Sequence, residues 1–219
     1  MRRSDRAVGV VAADRRLRYF SIPMVRAAVT KKLTALQRCD IFAALSDPDT
    51  ACAVVAVGEA SVEEIDSINI LQASLLAMQR AAAALAAALG AQRVPHMALV
   101  DGNQLPRLSC QARAVVRGDS LSLSIAAASV IAKVTRDRLM VGMHDDWPAY
   151  DFRTHKGYIT SEHEAALAEH GPSPVHRMRF VNVRRAAGLE PMPGPALEAA
   201  TSLGQDQPAP GGDTVEEDA

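Results

Sequence analysis

Two aspartates stand where carboxylates can hold a hard divalent cation: Asp101, in Leu99-Val100-Asp101-Gly102-Asn103, and Asp119, in Arg117-Gly118-Asp119-Ser120. Asp101 follows a short apolar run, residues 97–100, that reads as a buried strand. Asp119 sits in a glycine turn just ahead of a long alanine-rich helix pattern. A strand end fixes the direction of its side chain, a helix start favours an anion, and the crevice beyond the carboxyl ends of strands is the usual ligand position in α/β proteins. Two carboxylates converging there suit an oxygen-seeking cation. Each has a plainer reading when taken alone, Asp101 as turn chemistry and Asp119 as a helix cap.

The elements that must position these residues alternate. Residues 53–57 are a β-rich run ending at Gly58, and Ser61-Val62-Glu63-Glu64 is a capping box that opens a helix. That helix carries Ile65, Ile68, Leu71, Leu75 and Met78 on one face and runs through alanines to Gly90. A second helix spans about residues 122–140, where Ala126, Ala127, Ala128 and Ser129 permit close approach to a sheet. Ser161-Glu162-His163-Glu164 starts a third, stopped by Gly171-Pro172. Near the start, residues 8–13 read as a strand and 31–45 as a helix with Leu33, Leu36 and Leu45 inward. Strand, helix and strand in alternation predict an α/β layered fold.

Composition narrows the class. A chain of 219 residues, 48% hydrophobic and 22% charged, suits one full-sized core, and the low aromatic content leaves alanine to supply much of it. Three cysteines without C-x-x-C spacing argue against both a disulfide framework and a zinc site, and favour a reducing cytoplasm. The apolar run at residues 7–13 is too brief for a secretory signal, and no stretch is expected to reach the length of a membrane helix. Seven acids and no Lys or Arg lie from Leu189 onward, so a net charge of −1 leaves about +6 on the body, a balance permissive for nucleic acid. The expected divisions are an atypical N-terminal segment at 1–30, a catalytic domain at 31–188, and a disordered acidic Pro/Gly-rich tail at 189–219.

Several long strings, in one order, carry a family resemblance: residues 69–80 (NILQASLLAMQR), 100–106 (VDGNQLP), 116–138 (VRGDSLSLSIAAASVIAKVTRDR) and 155–158 (HKGY). Lys31-Lys32-Leu33, Glu64-Ile65-Asp66, His170-Gly171-Pro172 and His176-Arg177 add to them. Together, over roughly residues 31–180, the chain resembles ribonuclease HII, the type 2 ribonuclease H family. The resemblance implies a ribonuclease H-like mixed sheet flanked by helices, with a C-terminal helical part. It implies a metal-dependent endonuclease that cleaves RNA in RNA–DNA hybrids and at ribonucleotides embedded in duplex DNA, with Mn²⁺ or Mg²⁺.

By position, Asp101 resembles the third and Asp119 the fourth of the family's four acidic ligands, and Tyr158 resembles the tyrosine that packs on the sugar at the RNA-to-DNA junction. Two cations held by carboxylates can activate a water and stabilise a leaving 3′-oxygen. Telling RNA from DNA requires contact with the 2′-hydroxyl, and Gly157 ahead of Tyr158 gives the ring mobility. Lys31, Lys32, Lys133, Arg136, His155 and Lys156 are the candidates for neutralising phosphates. Lys133 and Arg136 share a helix face at i, i+3, Asp137 pairs with a helix neighbour, and His155 is either an acid–base group or a satisfied loop histidine. The expected partner is the hybrid or ribonucleotide-containing duplex, bound by a monomer with no membrane.

The family's opening motif, Asp-Glu-Ala-Gly-Arg-Gly-Pro, supplies the other two ligands and the 2′-hydroxyl contact, and this sequence lacks it. Aligning residues 9–13 with the apolar segment after that motif puts Arg3 near the motif arginine and the acidic pair just before Met1. Asp5 and Asp14 are acids without acidic neighbours or flanking glycines, and Val29-Thr30 stands where the family has Asp-Ser. Three expectations stand open: a beginning that omits or scrambles the acidic pair, a homologue that binds hybrids without cutting them, or a remote acid that completes the site.

Overall fold

The computed structural model describes residues 7–13, 33–47, 53–90 and 95–190. Its elements are β1 (Ala7–Ala13), α1 (Ala35–Ser46), β2 (Val54–Ala60), α2 (Val62–Leu89), β3 (Met97–Asp101), β4 (Gln111–Val115), α3 (Gly118–Leu121), α4 (Leu123–Asp146), a 3-10 turn (Pro148–Tyr150), α5 (Phe152–His155), α6 (Ser161–His170) and α7 (Val181–Ala186). The expected tail falls outside the described residues beyond 190, as do Asp5, Asp14, Lys31 and Lys32.

Strands of both senses occur. β1 runs antiparallel to β2, with Ala7 opposite Ala60 and Ala13 opposite Val54. β3 runs parallel to β4, with Met97 opposite Gln111 and Asp101 opposite Val115. Each pair is a two-stranded sheet, helices pack against them, and from α5 onward the described chain is helical. This is the α/β arrangement expected, with a C-terminal helical part.

α4 is shared by two cores. Its first half sets Ala127, Val130, Ile131 and Val134 against Ile41 and Leu45 of α1 and Val55 and Val57 of β2. Its second half sets Met140 and Met143 against Tyr150, Phe152, Leu167, Val175 and Val183. At about 1.5 Å per residue such a helix is long enough to join a sheet layer to a separate helical layer.

The apolar face of α2 differs from the expected one. Asn69 adopts φ 69°, ψ 165°, which breaks the helix, and its side-chain oxygen accepts from Gln72 N–H at 3.1 Å, capping the second stretch of α2. The break resets the phase, so Ala73, Ala77, Ala81 and Leu85 are buried while Ile68 and Leu71 are exposed. Two further apolar positions turn outward: Leu36 is 72% exposed because Ile41 and Leu45 face the core, and Met97 and Leu99 of β3 are exposed while Val100 alone is buried. The cap expected at Ser161, for the third helix, shifts by one residue. Thr160 Oγ1, not Ser161, accepts from the amide of His163 and starts α6, and Gly171 ends it at φ 68°. The box at Ser61 forms as expected, with Glu64 accepting from the Ser61 amide.

By length and composition α2 does reach the measure of a membrane span, contrary to expectation. Its alanines have a nearer use. At Gly58 of β2 an added Cβ would lie 2.1 Å from the Ala77 carbonyl oxygen and 2.4 Å from the Ala81 nitrogen. Both are backbone atoms of α2, so helix and strand touch without side chains between them. Gly58→Ala is therefore expected to lower stability by about 2–3 kcal/mol, a fall of about 5–10 °C in Tm measured by thermal denaturation.

The C-terminal segment is tied back to α2 by Asp66. Its carboxylate accepts from the amides of Met178 and Arg179, both at 3.1 Å, and its carbonyl accepts from Arg179 Nε at 2.7 Å.

Candidate functional site

Asp101 is the last residue of β3, and the chain turns immediately at Gly102, whose φ of 95° suits glycine. The Gly102 amide donates to the Val115 carbonyl at 3.1 Å, so the ends of the parallel pair are locked together. Just past β4, Arg117 takes a left-handed conformation, φ 56°, and swings Gly118 beneath Asp101. The Gly118 amide then donates to Asp101 Oδ1 at 2.7 Å. A Cβ on residue 118 would sit 2.5 Å from the Ile125 side chain and 3.3 Å from that same carboxylate oxygen, so close seating requires glycine. Asp119 comes directly after it, half-buried, with the Ser120 hydroxyl donating to its Oδ1 at 3.3 Å.

This brings the two predicted carboxylates to one turn at the carboxyl end of a parallel strand pair. Their chemistry fits a hard divalent cation: both donors are oxygens, and one oxygen of Asp101 is held by a backbone amide while the other is left for a ligand. No group of three ligating side chains occurs among the described residues. Two carboxylates with water and substrate phosphate in the remaining positions is a coordination that Mg²⁺-type ions commonly accept.

A second group gathers on Tyr158, a residue 52% exposed. Lys133 Nζ donates to its hydroxyl at 2.8 Å, and Lys133 and Arg136 lie 5.0 and 4.9 Å from its ring centroid. The i, i+3 placement of these two cations on α4 thus meets an aromatic face, a favourable pairing that also concentrates positive charge beside it. Asp137 forms ion pairs with both, at 3.8 and 3.6 Å. The backbone of Tyr158 is held rather than mobile: its amide donates to the His155 carbonyl at 2.9 Å and its carbonyl accepts from His163 Nδ1 at 3.1 Å. Gly157 precedes it at φ 73°, and a Cβ there would meet Met140 Cε at 2.8 Å.

The remaining candidates separate from this group. His155, expected to reach substrate, is turned inward and 7% exposed. Its Nδ1 accepts from the Gly157 amide at 3.1 Å and its Nε2 donates to the Tyr150 carbonyl at 2.6 Å, so it shapes the loop that carries Tyr158. Lys156 donates to the Arg153 carbonyl and lines a different hollow, with Arg38, Cys39 and Arg138. The sequence assigns Arg177 no role, yet it lines one cleft with Arg136, Gly157, Ile159 and Asn182. No periodicity links it to α4; only its place in the His176-Arg177 string marks it.

Comparison with known proteins gives a consistent result. The family model described as ribonuclease HII matches residues 12–183. A protein named ribonuclease HII from Parvibaculum lavamentivorans is 51% identical over 164 residues, which are 74% of this chain and 57% of that relative. One of the same name from Acidovorax sp. strain JS42 is 48% identical over 164 residues, 75% of this chain and 74% of its own length. The chain therefore spans little more than half the length of the first of these relatives. In fold, it is similar to the ribonuclease H2 crystal structure from Pyrococcus horikoshii (TM-score 0.54, 21% identity, covering 84% of this chain and 97% of that one). It is also similar to a chain of the PCNA:RNase HII complex from Archaeoglobus fulgidus (TM-score 0.57, 20% identity, 83% and 91%).

Proposed function

The chain belongs to the ribonuclease HII family, and from that premise we propose that it is a metal-dependent endonuclease hydrolysing RNA in RNA–DNA hybrids and at single ribonucleotides in duplex DNA. The observation that carries this reading is the Asp101 carboxylate seated on the Gly118 amide beside Asp119. Asp101 and Asp119 would hold the cation, Mn²⁺ or Mg²⁺. Such an ion, when bound, polarises a phosphodiester oxygen and lowers the pKa of a coordinated water. Lys133 and Arg136 neutralise phosphates along the duplex, and the exposed Tyr158 ring lies against the sugar at the junction, where a 2′-hydroxyl distinguishes RNA from DNA. We assign the protein to the cytoplasm, acting as a monomer.

The test is incision of a duplex containing one ribonucleotide, with Mn²⁺, against an all-DNA duplex of the same sequence. Incision on the 5′ side of the ribonucleotide, and none of the control, is expected. Tight binding of the ribonucleotide duplex without incision would instead establish the second reading, a hybrid-binding homologue. That reading draws on the lack of a third ligating side chain among the described residues. Tyr158→Ala is expected to reduce the preference for the ribonucleotide duplex about tenfold, the order of one lost aromatic stacking contact, measured by competition binding.

A further inference from the structure

Three histidines from three separate segments meet in the C-terminal core. His155 stacks on His163 at 4.4 Å and 15°, and His163 lies 5.4 Å from His176, all against Phe152. All three are buried, as is Ser173. Their partners leave little freedom in where the protons sit. The Tyr158 carbonyl can only accept, so His163 Nδ1 carries a hydrogen toward it. Ser173 donates its amide to His176 Nδ1 at 3.0 Å and its hydroxyl to the same atom at 2.7 Å, so that nitrogen is a bare acceptor. The two rings then face each other Nε2 to Nε2 at 3.1 Å. His176, bare at Nδ1, carries its hydrogen on Nε2, and His163, protonated at Nδ1, accepts with its own Nε2. Along these contacts each N–H meets an acceptor, and the chain of bonds points one way, from Ser173 through His176 and His163 to the Tyr158 backbone.

We propose that Ser173, His176 and His163 are positioning residues for Tyr158: a relay of neutral imidazoles that pins the Tyr158 peptide and so aims its ring at the sugar. The relay rests on the reading of Tyr158 as the substrate contact. It supplies what the neighbouring glycine withholds, because Gly157 gives the backbone a left-handed turn with no side chain of its own to fix the next residue. The ring itself meets the cations Lys133 and Arg136. The carbonyl bond from His163 holds one side of the Tyr158 backbone, and the bond from its amide to the His155 carbonyl holds the other.

Long-range ¹H–¹⁵N correlation of the imidazoles in the full chain, at about pH 7.5 where histidine is ordinarily neutral, should show His163 as the Nδ1–H tautomer and His176 as the Nε2–H tautomer. The opposite tautomer on either ring, or a charged ring, overturns the relay. This measurement needs no variant to fold. Affinities for ribonucleotide and all-DNA duplexes then test its purpose. His176→Phe keeps ring packing and deletes the donor; it should lower the ratio of the two affinities about three- to tenfold, the order of one lost hydrogen bond, with all-DNA binding unchanged. His176→Gln, which returns an N–H near the Nε2 position, should restore the ratio. In a Tyr158→Ala background His176→Phe should add nothing, and an additive loss there overturns the proposal. Should Tyr158→Ala alone leave the ratio untouched, the substrate role of Tyr158 fails, and the tautomers decide the relay by themselves.

Discussion

Asp101→Asn is expected to reduce metal-dependent incision by a factor on the order of 10²–10³ or more while leaving the fold intact, the scale seen when one group stabilising developing charge is removed. The substitution separates two jobs of one side chain. Asn keeps an oxygen where Oδ1 accepts from the Gly118 amide, so the turn joining β3 to α3 retains its hydrogen bond. The other oxygen becomes an NH₂ group, which presents hydrogens to the cation in place of a lone pair. With Asp119 the other acid at this turn among the described residues, the turn then offers a single charged donor. Single-turnover incision at saturating Mn²⁺ reads the chemical loss, and a Mn²⁺ titration should show weaker binding in step with it. Thermal denaturation should place the variant within about 0.5 kcal/mol of the parent, as for a surface change that breaks no buried contact. Wild-type incision by Asp101→Asn would remove Asp101 from the metal site. A large loss of stability would mean that the carboxylate serves the turn rather than the reaction.

How far this site is legible in the sequence depends on the range of the interactions that build it. The end of β3 and the start of α4 are legible because a short apolar run, a glycine turn and an alanine-rich periodic segment are local signals. The seating of Asp101 on Gly118 is not, since it depends on Arg117 taking a left-handed conformation and on the Ile125 side chain crowding position 118. The pairing of Lys133 and Arg136 comes from helix geometry, but their aromatic partner lies 25 residues further on for Lys133. Periodicity misplaces the apolar face of α2 because one Asn in an otherwise regular pattern carries the break. Least visible are the histidines. For His155 the sequence allows either an acid–base group or a satisfied loop residue, and only the turn geometry on either side of α5 shows that both its nitrogens are engaged, by the Tyr150 carbonyl and the Gly157 amide.

Acid is expected to destabilise the protein through two groups whose pH windows differ. Burial first, and then the neighbouring His163, holds the His176 imidazole down at about 4, against its ordinary 6.5. In the unfolded chain that ring takes a proton near 6.5; in the native protein it does not until about 4. Between those values the unfolded state binds the extra proton, so stability falls as pH falls, by about 3 kcal/mol in all, and no further once both states are charged. Glu64 acts lower. Hydrogen bonds from Arg80, then from the Ser61 amide, hold its carboxyl down at about 2 from 4.5, so its contribution is present above 4.5 and is lost as pH drops toward 2. Being partly exposed, that pair is screened and contributes less than the buried ring. From about pH 6.5 to 4.5 His176 therefore acts without Glu64. Urea denaturation across this range should show the parent weakening, His176→Phe nearly flat, and Glu64→Gln weakening like the parent. An equal decline in His176→Phe would show that some other group takes up the proton, and that this ring is not the one the core keeps neutral.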